Sequence, residues 1–138
     1  MQPKELPMSE EELRLAELVR AALGDRADKP FQPFALYHKE LDQIWVQIRD
    51  ASALHVWVNG VLTLIEDNYP EEGEDKDIGF TLDPVQRLCR HYGLSTEQVE
   101  IRQLLDAFVK EFPEHSVQVD TARKILEQVE STTVVIAR

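Results

Sequence analysis

Cysteine is nearly absent from this chain: Cys89 is the single one among 138 residues. An intramolecular disulfide is excluded, and so is any zinc or iron–sulfur site built on several thiolates. A lone thiol suits a reducing cytosol. Long apolar runs are missing as well. No stretch nears the ~18 residues that a membrane span needs, and Met1-Gln2-Pro3-Lys4-Glu5-Leu6-Pro7 lacks the basic-then-apolar order of a signal peptide. Positive charge is scarce, with 15 Lys and Arg against 26 Asp and Glu, a formal net charge of −11. Phosphate backbones are held by Lys and Arg that displace counterions, so direct nucleic-acid binding is not expected. An anionic membrane surface is disfavoured on the same ground. The chain reads as a soluble cytoplasmic protein.

What is present suffices for a core. Hydrophobic residues make up 43% and charged residues 30%, unlike a disordered acidic tail. The length fits one domain, or one domain with a small accessory segment. Residues 1–8 hold two prolines without periodicity and read as a flexible tail. Ser9 with Glu12 forms a capping box ahead of Leu15, Leu18, Val19 and Ala22 at helical spacing, and Gly24 is the stop. Segment 9–33 is therefore a helix over 9–23 followed by a turn-rich linker.

From Phe34 the period changes to two. Phe34, Leu36 and His38 alternate with Ala35 and Tyr37; beyond a polar turn, Ile44, Val46 and Ile48 alternate with Trp45, Gln47 and Arg49. This predicts a hairpin with Ile44, Val46 and Ile48 on the core face. Val56-Trp57-Val58, Asn59-Gly60 and the run 61–65 predict a second hairpin with positive φ at both turn residues. A short helical turn over 51–57 is the alternative. Residues 66–77 form an acidic loop and 78–82 a further strand. Asp83 then caps a helix that carries Pro84 at its first position, Gln86 in a capping box, Val85, Leu88, Cys89 and Tyr92 inward, and Gly93 at its end. Residues 34–94 make a central β-rich domain with its capping helix.

The closing segment 95–138 reads α-β-α-β. Ser95 with Gln98 caps a helix carrying Ile101, Leu104, Leu105, Phe108 and Phe112, and Pro113 stops it. Val117 and Val119 alternate as a short strand. Asp120 caps a helix with Ala122, Ile125, Leu126 and Val129 inward, and 132–137 is β-branched and strand-like. The expected fold class is α+β: an antiparallel sheet of four to five strands, covered on one face by the 84–92 and 97–112 helices, with a C-terminal β-α-β segment that extends the sheet or forms a lobe beside it.

Tyr37-x-x-Glu40-x-Asp42-x-Ile44-x-Val46-x-Ile48, with Val58-Asn59-Gly60-Val61, Asp67 and Ile78-Gly79-Phe80-Thr81-Leu82 downstream, resembles a family of short bacterial β-rich domains of unknown function. In that family a Tyr-Asp-x-Glu-x-Asp hairpin leads into an alternating strand and then a strand pair. His38 stands where the family carries Asp. The resemblance spans about residues 34–83; it implies a β-rich fold and contributes no catalytic residue.

His38, Glu40 and Asp42 alternate around the first turn, where they could ligate a metal or share protons. The simpler account gives Glu40 and Asp42 to the turn itself. Cys89 lies on an apolar helical stripe, the place of a buried inert thiol, and His91 faces elsewhere on that helix. In the acidic loop, Glu71, Glu72, Glu74, Asp75 and Asp77 fail the EF-hand frame, since taking Gly73 as the sixth position puts Pro70 at the third. They read as a solvated, mobile surface able to meet a basic protein. No cofactor is expected. The leading functional expectation is a small bacterial, non-catalytic interaction or regulatory protein with a protein partner, a basic one included, and with a homo-oligomer left open. The alternatives are a small enzyme or ligand-binding domain using His38, Glu40 and Asp42, and an acidic inhibitor or DNA mimic.

Overall fold

The computed structural model describes residues 14, 15, 17, 18 and 31–136. The chain divides into two units, Met1–Phe31 and Gln32–Arg138. In the first, Arg14, Leu15, Glu17 and Leu18 are helical. The expected tail, the Ser9 capping box, the Gly24 stop and residues 25–30 of the linker lie outside the described residues.

The second unit is built on a five-stranded antiparallel sheet. Its strands are β1 (Phe34–His38), β2 (Gln43–Gln47), β3 (Ala53–Trp57), β4 (Leu62–Asp67) and β5 (Asp77–Leu82), in the order β1-β2-β5-β4-β3. Both sequence-local hairpins form, and β5 enters between them. Register follows the pleat: Ile44 faces Leu82, Val46 faces Phe80, and Phe80 faces Leu64. Partners across a ladder share a face, so these residues line one apolar face together, all buried. Ile48 follows the end of β2 and packs half-buried against the same core. Gly79 is required where β5 meets β2, because a Cβ there would collide with the Val46 carbonyl oxygen.

Three helices and a second small sheet complete the unit: α1 (Val85–His91), β6 (Gln98–Glu100), α2 (Ile101–Glu111), a 3-10 turn (Pro113–His115), α3 (Ser116–Leu126) and β7 (Thr133–Val135). β6 and β7 pair with each other, Val99 opposite Val134, and β7 lies beside β1. The closing segment thus does not extend the main sheet. Its helices share the main core all the same, since Ile101, Leu105, Phe108, Val119, Ala122 and Leu126 join Ile44, Phe80 and Leu82 in one buried cluster. The fold is α+β.

Four local expectations are corrected. Val117 and Val119 are helical, because Val119, Ala122, Ile125 and Leu126 repeat at helical spacing; Val119 is buried and Val117 exposed. α3 accordingly lies on β5 and β2, while Leu104, Leu105 and Phe108 of the helix expected over 97–112 join the same buried cluster. Ser95 caps only a turn, accepting from the amides of Glu97 and Gln98; α2 begins after β6, where the Glu100 carboxylate accepts from Arg102 N–H. Asn59 and Gly60 do not take positive φ. Instead the Asn59 side-chain oxygen accepts from the Val61 and Leu62 amides at 2.8 and 3.0 Å, an Asx turn that satisfies the same donors. Asp83 does not cap α1: its carboxylate accepts from Gln43 Nε2 at 2.9 Å.

The cap of α1 comes from 44 residues upstream. Asp42, at φ +49°, accepts the Val85 amide on its carbonyl at 2.9 Å and the Gln86 amide on its carboxylate at 3.1 Å. The stop at Gly93 forms as expected, with φ +70° and Leu94 N–H donating to the Cys89 carbonyl at 2.8 Å.

Candidate functional site

Chemistry near Asp42 is consumed by structure. Its carboxylate also accepts the Tyr37 hydroxyl at 2.6 Å, and burial, reinforced by this bond, pushes the Tyr37 phenol up to about 12. His38 Nδ1 accepts from the Leu41 amide at 3.3 Å, and Glu40 is exposed. The three residues singled out in the sequence therefore occupy one turn with different tasks. Among the described residues, no group of three or more His, Cys, Asp or Glu side chains is placed to hold a metal ion. Cys89 is buried, and its thiol is pushed up by burial and by the nearby Asp42 charge.

A wide-mouthed cleft of about 690 Å³ opens beside α1 and α2. His91 Nε2 lies 3.1 Å from Glu111 Oε2. The Tyr92 hydroxyl is buried beside the same carboxylate without a well-aligned hydrogen bond. Burial and that neighbouring charge push the Tyr92 phenol up, while Tyr92 and His91 hold the Glu111 carboxyl below its usual range. Acid–base catalysis wants groups poised near the working pH. Here the phenol is held neutral and the carboxylate charged.

The acidic loop is organised around one cation that the sequence reading left out. Arg49 Nη2 donates to Asp67 Oδ2 at 2.7 Å and to the Asp75 carbonyl at 2.9 Å, and Arg49 Nε lies 3.6 Å from Glu74. Lys76 lies 3.7 Å from Glu66. The loop also binds itself: Glu74 N–H donates to the Glu71 carbonyl, Glu71 N–H to Glu74 Oε1, and Asp77 N–H to Asp75 Oδ1. Arg49 and Lys76 thus compensate part of the negative charge of this segment locally. Asp77 opens β5, where burial first and then the charges of Asp75 and Glu66 push its carboxyl up. Glu71, Glu72 and Asp75 remain exposed.

The surface that sequence reasoning missed is β3. It ends the sheet, and all five of its residues are exposed, with Leu54 at 50%, Val56 at 37% and Trp57 at 71%. Backbone parity follows from one bond, Val58 N–H to the Leu62 carbonyl. In an antiparallel pair, alternate residues bond the neighbour, so Leu54 and Val56 bond β4. Ala53, His55 and Trp57 turn their N–H and C=O groups outward. An edge of this kind is a template for another strand unless Lys, Pro or a bulge blunts it, and 51–65 contains no Asp, Glu, Lys, Arg or Pro. The signal was present in the sequence: Ala53, Leu54, Val56 and Trp57 are apolar on both faces, the pattern of a strand expected to be covered twice.

Compared with known proteins, the chain matches no family model, no curated protein and no solved structure.

Proposed function

We propose that this chain is a non-catalytic protein-interaction module of the bacterial cytoplasm, and that it docks its partner along the β3 edge. One observation carries the reading: an apolar strand leaves the outward backbone sites of Ala53, His55 and Trp57 unpaired among the described residues, with the Trp57 side chain exposed. Strand addition at such an edge draws affinity from main-chain hydrogen bonds and specificity from alternate side chains. An exposed tryptophan next to it supplies the large, rigid contact area typical of energetic anchors.

His55→Pro tests this directly, because it removes an outward donor and no bond to β4. Trp57→Lys removes the anchor and places a blunting charge on the edge. Purified wild type and both variants, checked for equal urea midpoints, are compared for capture of partner from the native host by quantitative mass spectrometry. Loss of the same specific protein from both variants is the expected result. Full retention by both variants refutes the reading.

A further inference from the structure

The β3 edge is electrically lopsided. At its Ala53 end, the Asn68 amide donates to the Ser52 carbonyl at 2.7 Å, so the acidic loop leaves the sheet directly beside the start of β3. Asp50 precedes that start and is exposed, Glu66 sits opposite Leu54, and Glu71, Glu72 and Asp75 follow in the loop. Among the described residues, the cations beside this end are engaged, Arg49 with Asp67 and Lys76 with Glu66. At the Trp57 end the connection Val58-Asn59-Gly60-Val61 carries no charge. A strand laid along this edge meets neutral apolar surface over its length and a concentration of negative charge beyond one end only.

We infer that the occupant is an extended, uncharged segment of a different protein, running antiparallel to β3, with Lys or Arg immediately after its C-terminal end. This inference rests on the edge reading above and adds the identity and direction of the partner. Antiparallel addition continues the pattern of every pair in the main sheet and places the segment's C-terminal end beside Ala53. The charge of −11 weighs against a second copy in that place, since like-charged bodies repel on approach. Apolar residues at alternate positions meet Leu54 and Val56 on one face, while the basic residues face the carboxylates that Arg49 and Lys76 leave unmatched.

Two capped synthetic peptides, Val-Thr-Val-Thr-Val-Lys-Lys and Lys-Lys-Val-Thr-Val-Thr-Val, test it against the full chain by titration calorimetry, with amide hydrogen exchange read at β3. The peptide with C-terminal lysines should bind about tenfold tighter at low salt, and the preference should collapse near 1 M salt, where the Debye length is about 3 Å. Its binding should slow exchange at His55 and Trp57, whose amides face outward. The triple variant Asp50→Asn, Glu71→Gln, Glu72→Gln should erase the preference, since those side chains make no hydrogen bond among the described residues. Equal affinity of the two peptides, with both lost in His55→Pro, overturns the charge assignment and leaves the edge reading standing. Tighter binding of the N-terminally basic peptide overturns the direction. Binding of neither, or binding that ignores His55→Pro, overturns both readings. Protection of the same amides by a concentration-dependent dimer without peptide overturns the inference in favour of a second copy.

Discussion

Tyr37 and Asp42 meet at 2.6 Å, hydroxyl to carboxylate, and that same carboxylate holds the first turn of α1 through the Gln86 amide. One side chain thus ties the β1–β2 turn to a helix that has no side-chain cap of its own.

Asp42→Ala should lower the urea midpoint more than Asp83→Ala. Loss of a cap costs about 0.5–2 kcal/mol, and a left-handed backbone adds about 1–2 kcal/mol for a residue with an ordinary side chain. Asp83→Ala forfeits one hydrogen bond from Gln43, about 0.5–1.5 kcal/mol. Asn at position 42, which tolerates positive φ, should recover part of the loss. Equal midpoints for Asp42→Ala and the parent would show that the turn does not cap α1.

Alkaline titration followed at 295 nm should find Tyr37 protonated until close to pH 12. The sign for stability follows. The folded phenol sits above its ordinary value of 10.0, so its contribution is complete below pH 10 and is lost as pH rises toward 12. Tyr37→Phe should flatten the alkaline stability profile over that interval.

Ile44→Ala should cost about 2–5 kcal/mol, the usual range for a large aliphatic removed from a closed core, because Ile44 is fully buried. Val56→Ala lies one strand beyond the covered region, and its cost should stay within about 0.5 kcal/mol. Chemical denaturation of the two variants separates the covered sheet from its free edge.

Arg49→Met should loosen the acidic loop. Amide exchange at Asp77 and Tyr69 should accelerate, and proteolysis at Glu71 or Glu72 should begin sooner than in the parent. Arg49 first, then the Tyr69 amide, holds the Asp67 carboxyl below its ordinary value of 3.8. That stabilisation is present above pH 3.8 and is lost as pH falls through the folded value. The variant's stability should therefore change less with pH in the acid range. Unaltered exchange and an unaltered acid profile would remove Arg49 from the loop's frame.

Much of the architecture was legible because patterning and punctuation agreed. Ile44 and Val46 alternate in period two, Leu104, Leu105 and Phe108 recur at helical spacing, and Gly93 supplies the only conformation that ends α1 as observed. Misreadings arose where a signal was too short or a partner too distant. Val117 and Val119 make two points, which fit a strand or a helix until Ala122, Ile125 and Leu126 decide. Asp83 sits where a local rule puts a cap, but Asp42, folded back from another segment, reaches the amides first. Arg49 escaped notice because its partners lie 18 and 26 residues away. The β3 edge escaped for a different reason: apolarity on both faces signals cover, and sequence alone does not say whether this chain supplies it.

The strand order has a consequence for synthesis on the ribosome. β1-β2 and β3-β4 are each complete hairpins by residue 67, yet they share no ladder, since among the described strands β5 alone bridges them. Until Asp77–Leu82 emerges, the chain holds two ribbons with four raw margins, and the inward margins of β2 and β4 are as ready to pair with a neighbouring nascent chain as with β5. Arrival of β5 consumes both in one step and leaves the outer margins of β1 and β3; β7 comes to lie beside β1, while β3 stays open among the described residues. Of all the sites that could aggregate during assembly, that one persists in the finished molecule.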